Sequence, residues 1–215
     1  MNDSNDKFFA ILELVLPCSV HFLELYTADY KKPEEYGEAT LFEICVYLLF
    51  RLDLSLVKLK QKPDVRKKLI FFIADNLVDK FSKLLKNDNL YKIINQRMDI
   101  YGKVVRTASE KIFENLHFHL FNNIEFSRNT DELKFWDSGI EPVMLVGLSK
   151  EMSRSINMVF IENLLVSSFG CCLKHLFQDN DDFTQLSLSE IEKRIKKGMA
   201  EAKKIDNKIF NEKKN

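Results

Sequence analysis

From Asn5 to about Tyr26 the apolar side chains Phe8, Ile11, Leu12, Val15, Phe22, Leu23 and Tyr26 recur three and four residues apart, with the small Ser19 in the same row. That rhythm predicts an amphipathic helix with Pro17 on its wet face, where water can satisfy the carbonyl that the ring leaves unpaired. Lys31-Lys32-Pro33 ends it, and Pro33 at a first helical position predicts a second helix reaching about Gln61. Between Leu41 and Leu59 apolar groups occupy nearly every side and leave Arg51, Ser55 and Lys58 as a thin polar strip. A helix of that kind is expected to be surrounded by others. Pro63-Asp64 opens a third, to about Lys86, with Ile70, Ile73, Ala74, Leu77, Phe81 and Leu84 inward.

After Asn87-Asp88-Asn89, a fourth helix carries Leu90, Ile93, Ile94, Met98, Tyr101, Val104, Val105 and Ala108 on one face. The inward row then jumps by roughly a quarter turn, to Leu116, Leu120 and Ile124, and Thr107 with Glu110 fits a capping box at the jump. A break is expected there. Residues 127–139 read as a connection with one short turn around Trp136, Glu141-Pro142 restarts a helix to about Phe169, and Gly170 marks a bend before Cys171 to Gln178. The acidic Asp179-Asn180-Asp181-Asp182-Phe183 run reads as a loop. Ser187 with Glu190 caps a last helix whose apolar residues form a narrow stripe, Leu188, Ile191, Ile195, Met199, Ala202, Ile205 and Ile209, in a field of lysines. So narrow a stripe suits a coiled-coil seam or a helix laid in a groove.

The expected fold is therefore all-α: an irregular bundle of six to eight helices over residues 1–178, and an amphipathic C-terminal helix at 187–211. That helix reads as an arm, packed on the bundle or on a partner. Scarce turn formers agree, with 6 glycines and 4 prolines in 215 residues. Acids and bases balance at 32 each, so the molecule as a whole has no field to draw in nucleic acid or an acidic surface. The basic clusters at Lys58–Lys68 and Lys193–Lys204 are interleaved with acids and lack stacking aromatics, which argues against nucleic acid as the partner. The most membrane-like run, Ser155 to Leu173, holds Glu162 near its centre, so no membrane span is expected. Four cysteines without metal-finger spacing, and a first segment with acids in place of a leader's basic region, point to a reducing, cytoplasmic location.

Two charges stand where helical geometry calls for apolar groups. Arg97 lies amid Leu90, Ile93, Tyr101 and Val104, and Glu162 amid Met158, Val159, Leu165, Val166 and Phe169. A buried charge left alone costs several kcal/mol, so each needs a partner, and their opposite signs suggest that they meet across the core. A structural ion pair is favoured over a catalytic one. Glu110, Glu114 and His117 share one strip, and Glu114-x-x-His117 has the spacing of a di-iron helix. The second such pair that the metal needs is missing, so a solvated edge beside a packed histidine is favoured and no cofactor is implied. Asp179, Asp181, Ser187 and Glu190 match a calcium loop in part, but Phe183 and Thr184 stand where it needs an oxygen ligand and a glycine. With no nucleophile elbow and no phosphate-cradling loop, the expected role is a non-enzymatic interaction or regulatory protein. It would pair with a protein partner or a second copy through Leu188, Ile191, Ile195, Met199, Ala202 and Ile209. The alternative is a bundle holding a metal or small ligand.

Overall fold

A computed structural model describes residues 3–28, 37–107, 116, 119–120, 122–124, 127, 132–133, 169–177 and 183–212, with the side chains of all of these except 3–4, 21, 24–28 and 205–212. The described chain is all-helical, without a strand. In order come α1 (Asp3–Ala28), α2 (Glu38–Lys58), α3 (Pro63–Leu85), α4 (Leu90–Thr107), helical residues 116, 119–120, 122–124 and 127, a helix at 169–176 designated α5, a single 3-10 turn (Phe183–Gln185) and α6 (Leu188–Glu212). No helix among the described residues is long and apolar enough to cross a membrane.

At the centre is α2, packed against α1, α3 and α4. Every residue from Ala39 to Leu52 except Leu41 is buried, as expected of a helix apolar on all sides. Its start differs from expectation. Gly37 holds an extended conformation at φ −93°, ψ −169°, so α2 begins at Glu38, while Pro33, the expected first helical position, lies outside the described residues; Lys60 at φ 55° ends the segment three residues early. Arg51 also departs from the predicted wet strip: it is buried over the Tyr47 ring, 5.9 Å from its centroid, and donates to the Tyr47 hydroxyl at 3.3 Å. The aromatic face lets the guanidinium shed water without losing all of its electrostatic partners.

Pro63 opens α3 as its fixed φ and missing N–H favour. Leu69, Ile73, Ala74, Leu77 and Phe81 face the core, whereas Leu84, expected inward, is 51% exposed in the last turn before left-handed Lys86. The chain then turns through an Asn87 side chain that accepts the Asn89 N–H at 2.8 Å. Pro17 lies inside α1 on its exposed side and does not interrupt it. Gly170 is helical rather than a bend. Thr107 closes the described part of α4 with its hydroxyl donating back to the Lys103 carbonyl at 2.9 Å.

The acidic run before α6 conceals an anchor. Phe183 is fully buried and touches Phe8 of α1 and Phe177 at the end of α5, with ring centroids 5.7 Å and 5.2 Å away. Beside it the Lys7 ammonium donates to the Thr184 carbonyl at 2.7 Å. The start of α1 thus sits against the 3-10 turn that leads into α6, and the two helices run on from this corner side by side. Ser187 accepts the Glu190 N–H at 3.2 Å as the cap of α6.

Candidate functional site

Of the residues singled out from sequence, Arg97 is the most constrained. It is fully buried, and its Nε and Nη2 donate to Glu43 Oε2 and Oε1 at 3.0 and 2.7 Å, a two-pronged pair between α4 and α2. Nη1 donates to Gln96 Oε1 at 2.8 Å. Burial works against the Arg97 charge, but the carboxylate and its hydrogen bonds outweigh it and hold the guanidinium protonated. Around the pair, the Tyr101 phenol is pushed up by burial first and by Glu43 second, so it keeps its proton. Half-buried His119 is pushed down by burial first and by Arg97 second, so its ring stays neutral near pH 7. Tyr47, Tyr101 and Phe50 pack edge-on and tilted around these groups. The cluster joins two helices at one register and is read as structural. Glu162, the partner expected for Arg97, lies outside the described residues. So do Glu110, Glu114 and His117, the strip with metal-ligand spacing, and the acidic residues 179 and 181 of the partial calcium loop. Among the described residues no three His, Cys, Asp or Glu side chains stand close enough to hold a metal ion.

The C-terminal stripe is divided by the bundle. Ile191 and Ala202 are buried, Ile195 is partly so, and Leu188 and Met199 remain 36% and 41% exposed; the Ile205 and Ile209 side chains are not among those described. Gly198 explains how closely α6 lies on α5, because a Cβ built there would stand 2.4 Å from Cys172 Cα and 2.6 Å from its amide nitrogen. Polar links reinforce this crossing. Arg194 donates to the Leu176 carbonyl at 3.3 Å, and Glu201 receives both Lys174 Nζ at 3.1 Å and His175 Nε2. The His175 bond, then that of Lys174, hold the Glu201 carboxyl below its ordinary range. The vicinal thiols sit inside this crossing, with Cys171 and Cys172 both buried. Burial first, and the neighbouring thiols Cys18 and Cys171 second, push Cys172 up to about 12.

Beside this crossing, α6 and α1 enclose an open groove of about 820 Å³. Leu14, Cys18, Ile195 and Ala202 form its floor, and Phe9 and Met199 stand on its walls. Phe9 is 42% exposed although its ring meets Phe72 edge-on at 4.9 Å. At 100° per residue Val20, also exposed, continues the Phe9 and Glu13 row of α1 beyond the groove. Five charges border it: Asp6 and Glu13 on α1, and Glu192, Lys196 and Lys203 on α6. None of the five has an ion-pair partner among the described residues. Sequence periodicity had found the α6 wall but not the α1 wall, because Phe9 lies outside the inward row of α1. No protein-family model, curated protein or solved structure matches the chain.

Proposed function

We propose that this protein is a non-catalytic interaction protein that acts by taking an amphipathic helix of a protein partner into the groove between α1 and α6. The observation that carries the reading is the apolar wall left open there: Phe9, Leu188 and Met199 are 42%, 36% and 41% exposed along one groove whose floor is continuous with the core. Scattered surface hydrophobics are ordinary, but a contiguous apolar trough rimmed by charge is characteristic of helix-in-groove recognition. The division of the α6 stripe supports the same reading, since one edge holds the helix to the bundle and the other stays available.

Affinity capture with the tagged full chain tests it against two variants, Met199→Glu and Phe9→Glu, each placing a charge on the trough wall. A partner retained by the wild type and lost from both variants, with their circular dichroism unchanged, is the expected outcome. Capture that is indifferent to both substitutions refutes the assignment of the surface.

A further inference from the structure

The groove is polarised along its length. At the corner where Phe8 meets Phe183, and in the turns that follow, its charges are acidic: Asp6 and Glu13 on α1, Glu192 on α6. Farther along α6 they are basic, Lys196 and Lys203. At 1.5 Å per residue, Glu192 lies about 6 Å past the start of α6, Lys196 about 12 Å and Lys203 about 22 Å. Acids in first turns also suit the macrodipole of each helix. What turns them into a recognition feature is convergence: both helices border one apolar trough with their charges, and none of the five forms an ion pair with a described neighbour.

We infer that the occupant is an amphipathic helix of about four turns that runs antiparallel to α1 and α6, with acidic residues in its first turns and basic residues in its last. This rests on the groove being a helix-docking surface, and it adds direction and charge order. Three effects favour that orientation together. The basic end of the occupant meets Asp6, Glu13 and Glu192, and its acidic end meets Lys196 and Lys203. Its own dipole is stabilised by that charge order, and its C-terminus comes to lie beside the positive N-terminal ends of α1 and α6. In this antiparallel orientation the reverse order brings like charges together at both ends, and a reversed helix that turns round to match its charges sets its own positive N-terminus beside those of α1 and α6.

The test uses the full chain and two lactam-bridged, fluorescein-labelled peptides of about 16 residues, equal in composition and with leucines at helical spacing. One carries glutamates early and lysines late, and the other has the charges exchanged. By fluorescence anisotropy at low salt the first is expected to bind at least about tenfold tighter, and the gap is expected to narrow as added salt shortens the screening length to about 3 Å at 1 M. The quadruple variant Asp6→Lys, Glu13→Lys, Lys196→Glu, Lys203→Glu should invert the preference. Equal binding of both peptides that Met199→Glu abolishes overturns the polarity and leaves the docking surface standing. Binding of neither peptide overturns the inference, and the docking reading falls with it only if capture by the full chain is also insensitive to Met199→Glu. A dimer in sedimentation that Met199→Glu dissociates would place a second copy in the groove and likewise overturn the inference.

Discussion

Gly198 and Gly170 are both helical, and replacing each by alanine should shift stability in opposite directions. In a helix interior the exchange is worth about 0.5–1 kcal/mol in favour of alanine, through backbone entropy. At Gly170 nothing among the described residues lies within 4 Å of the added methyl, so that gain is realised in full. At Gly198 the methyl would stand 2.4 Å from Cys172 Cα, 2.6 Å from Cys172 N and 2.9 Å from Cys171 C, all backbone atoms that cannot swing aside. Carbon contacts settle near 3.5–4.0 Å, so α6 must move off α5 by about 1 Å. Overpacking of this kind costs about 1–3 kcal/mol. The displacement also loosens the Arg194 to Leu176 hydrogen bond, at about 1 kcal/mol. After the propensity gain, Gly198→Ala is expected to cost about 1–3 kcal/mol, a fall in Tm of about 2–12 °C at this chain length. Urea unfolding followed by far-UV circular dichroism reads both variants as shifts of midpoint at constant slope. A Gly198→Ala protein as stable as the wild type would refute the close crossing of α6 over α5.

Glu43→Gln, which leaves the Arg97 guanidinium facing a neutral amide in the core, should destabilise by about 3–5 kcal/mol, whereas Glu43→Met combined with Arg97→Met should come within about 1 kcal/mol of the wild type. A small effect of the single change in urea unfolding would show that the pair is not desolvated. The depressed Glu201 carboxyl predicts a pH effect of definite sign: its contribution is complete above the ordinary carboxyl value of 4.5 and fades as pH falls through the lower folded value. The difference in unfolding midpoint between the wild type and Glu201→Gln should therefore be present at neutral pH and vanish in acid, and a difference that persists in acid would contradict the assignment. Burial pushes Cys18 and Cys45 up to about 11 and, with nearby thiols, Cys172 to about 12, so all three should resist iodoacetamide in the folded protein near neutral pH and react promptly in urea. Rapid modification of Cys172 in the native state would contradict its burial.

How much of this was legible in the sequence depended on whether each decisive contact was local. Helix periods, the Pro63 start, the Ser187 cap and the misplaced charge of Arg97 are written in residues three or four apart, and α1, α3, α4 and α6 form accordingly. Glu43 escaped notice because α2 is apolar all round: without a wet face there is no inward row in which a charge looks out of place. Arg51 was assigned to solvent for the complementary reason, since a polar residue on such a helix suggests an exposed strip until the facing aromatic ring is known. Phe183 was hidden by its acidic neighbours, although its ring closes the corner between α1, α5 and α6. Gly198 lay among lysines and read as part of a solvated face, because the reason for a glycine there is the backbone of another helix 26 residues away, at Cys172.

The groove follows from the same distinction between local and distant determinants. A narrow stripe on a lysine-rich helix says that some apolar surface awaits the helix, without saying whose. On α6, Gly198, Ile191 and Ala202 lie toward one edge of the stripe, and Leu188 and Met199 toward the other, about 40–100° away at 100° per residue. A glycine on the first edge lets that edge press against the α5 backbone. That contact turns the second edge toward α1, which meets it with Phe9 and Leu14. One helix thereby completes the fold along one edge and leaves the other as the wall of a charged trough, so attachment of α6 and shape of the groove are set by the same rotation. A change that rolls α6 on α5 must reshape the groove even where no groove residue is altered, and peptide affinity and stability should then fall together in Gly198→Ala while separating in Met199→Glu.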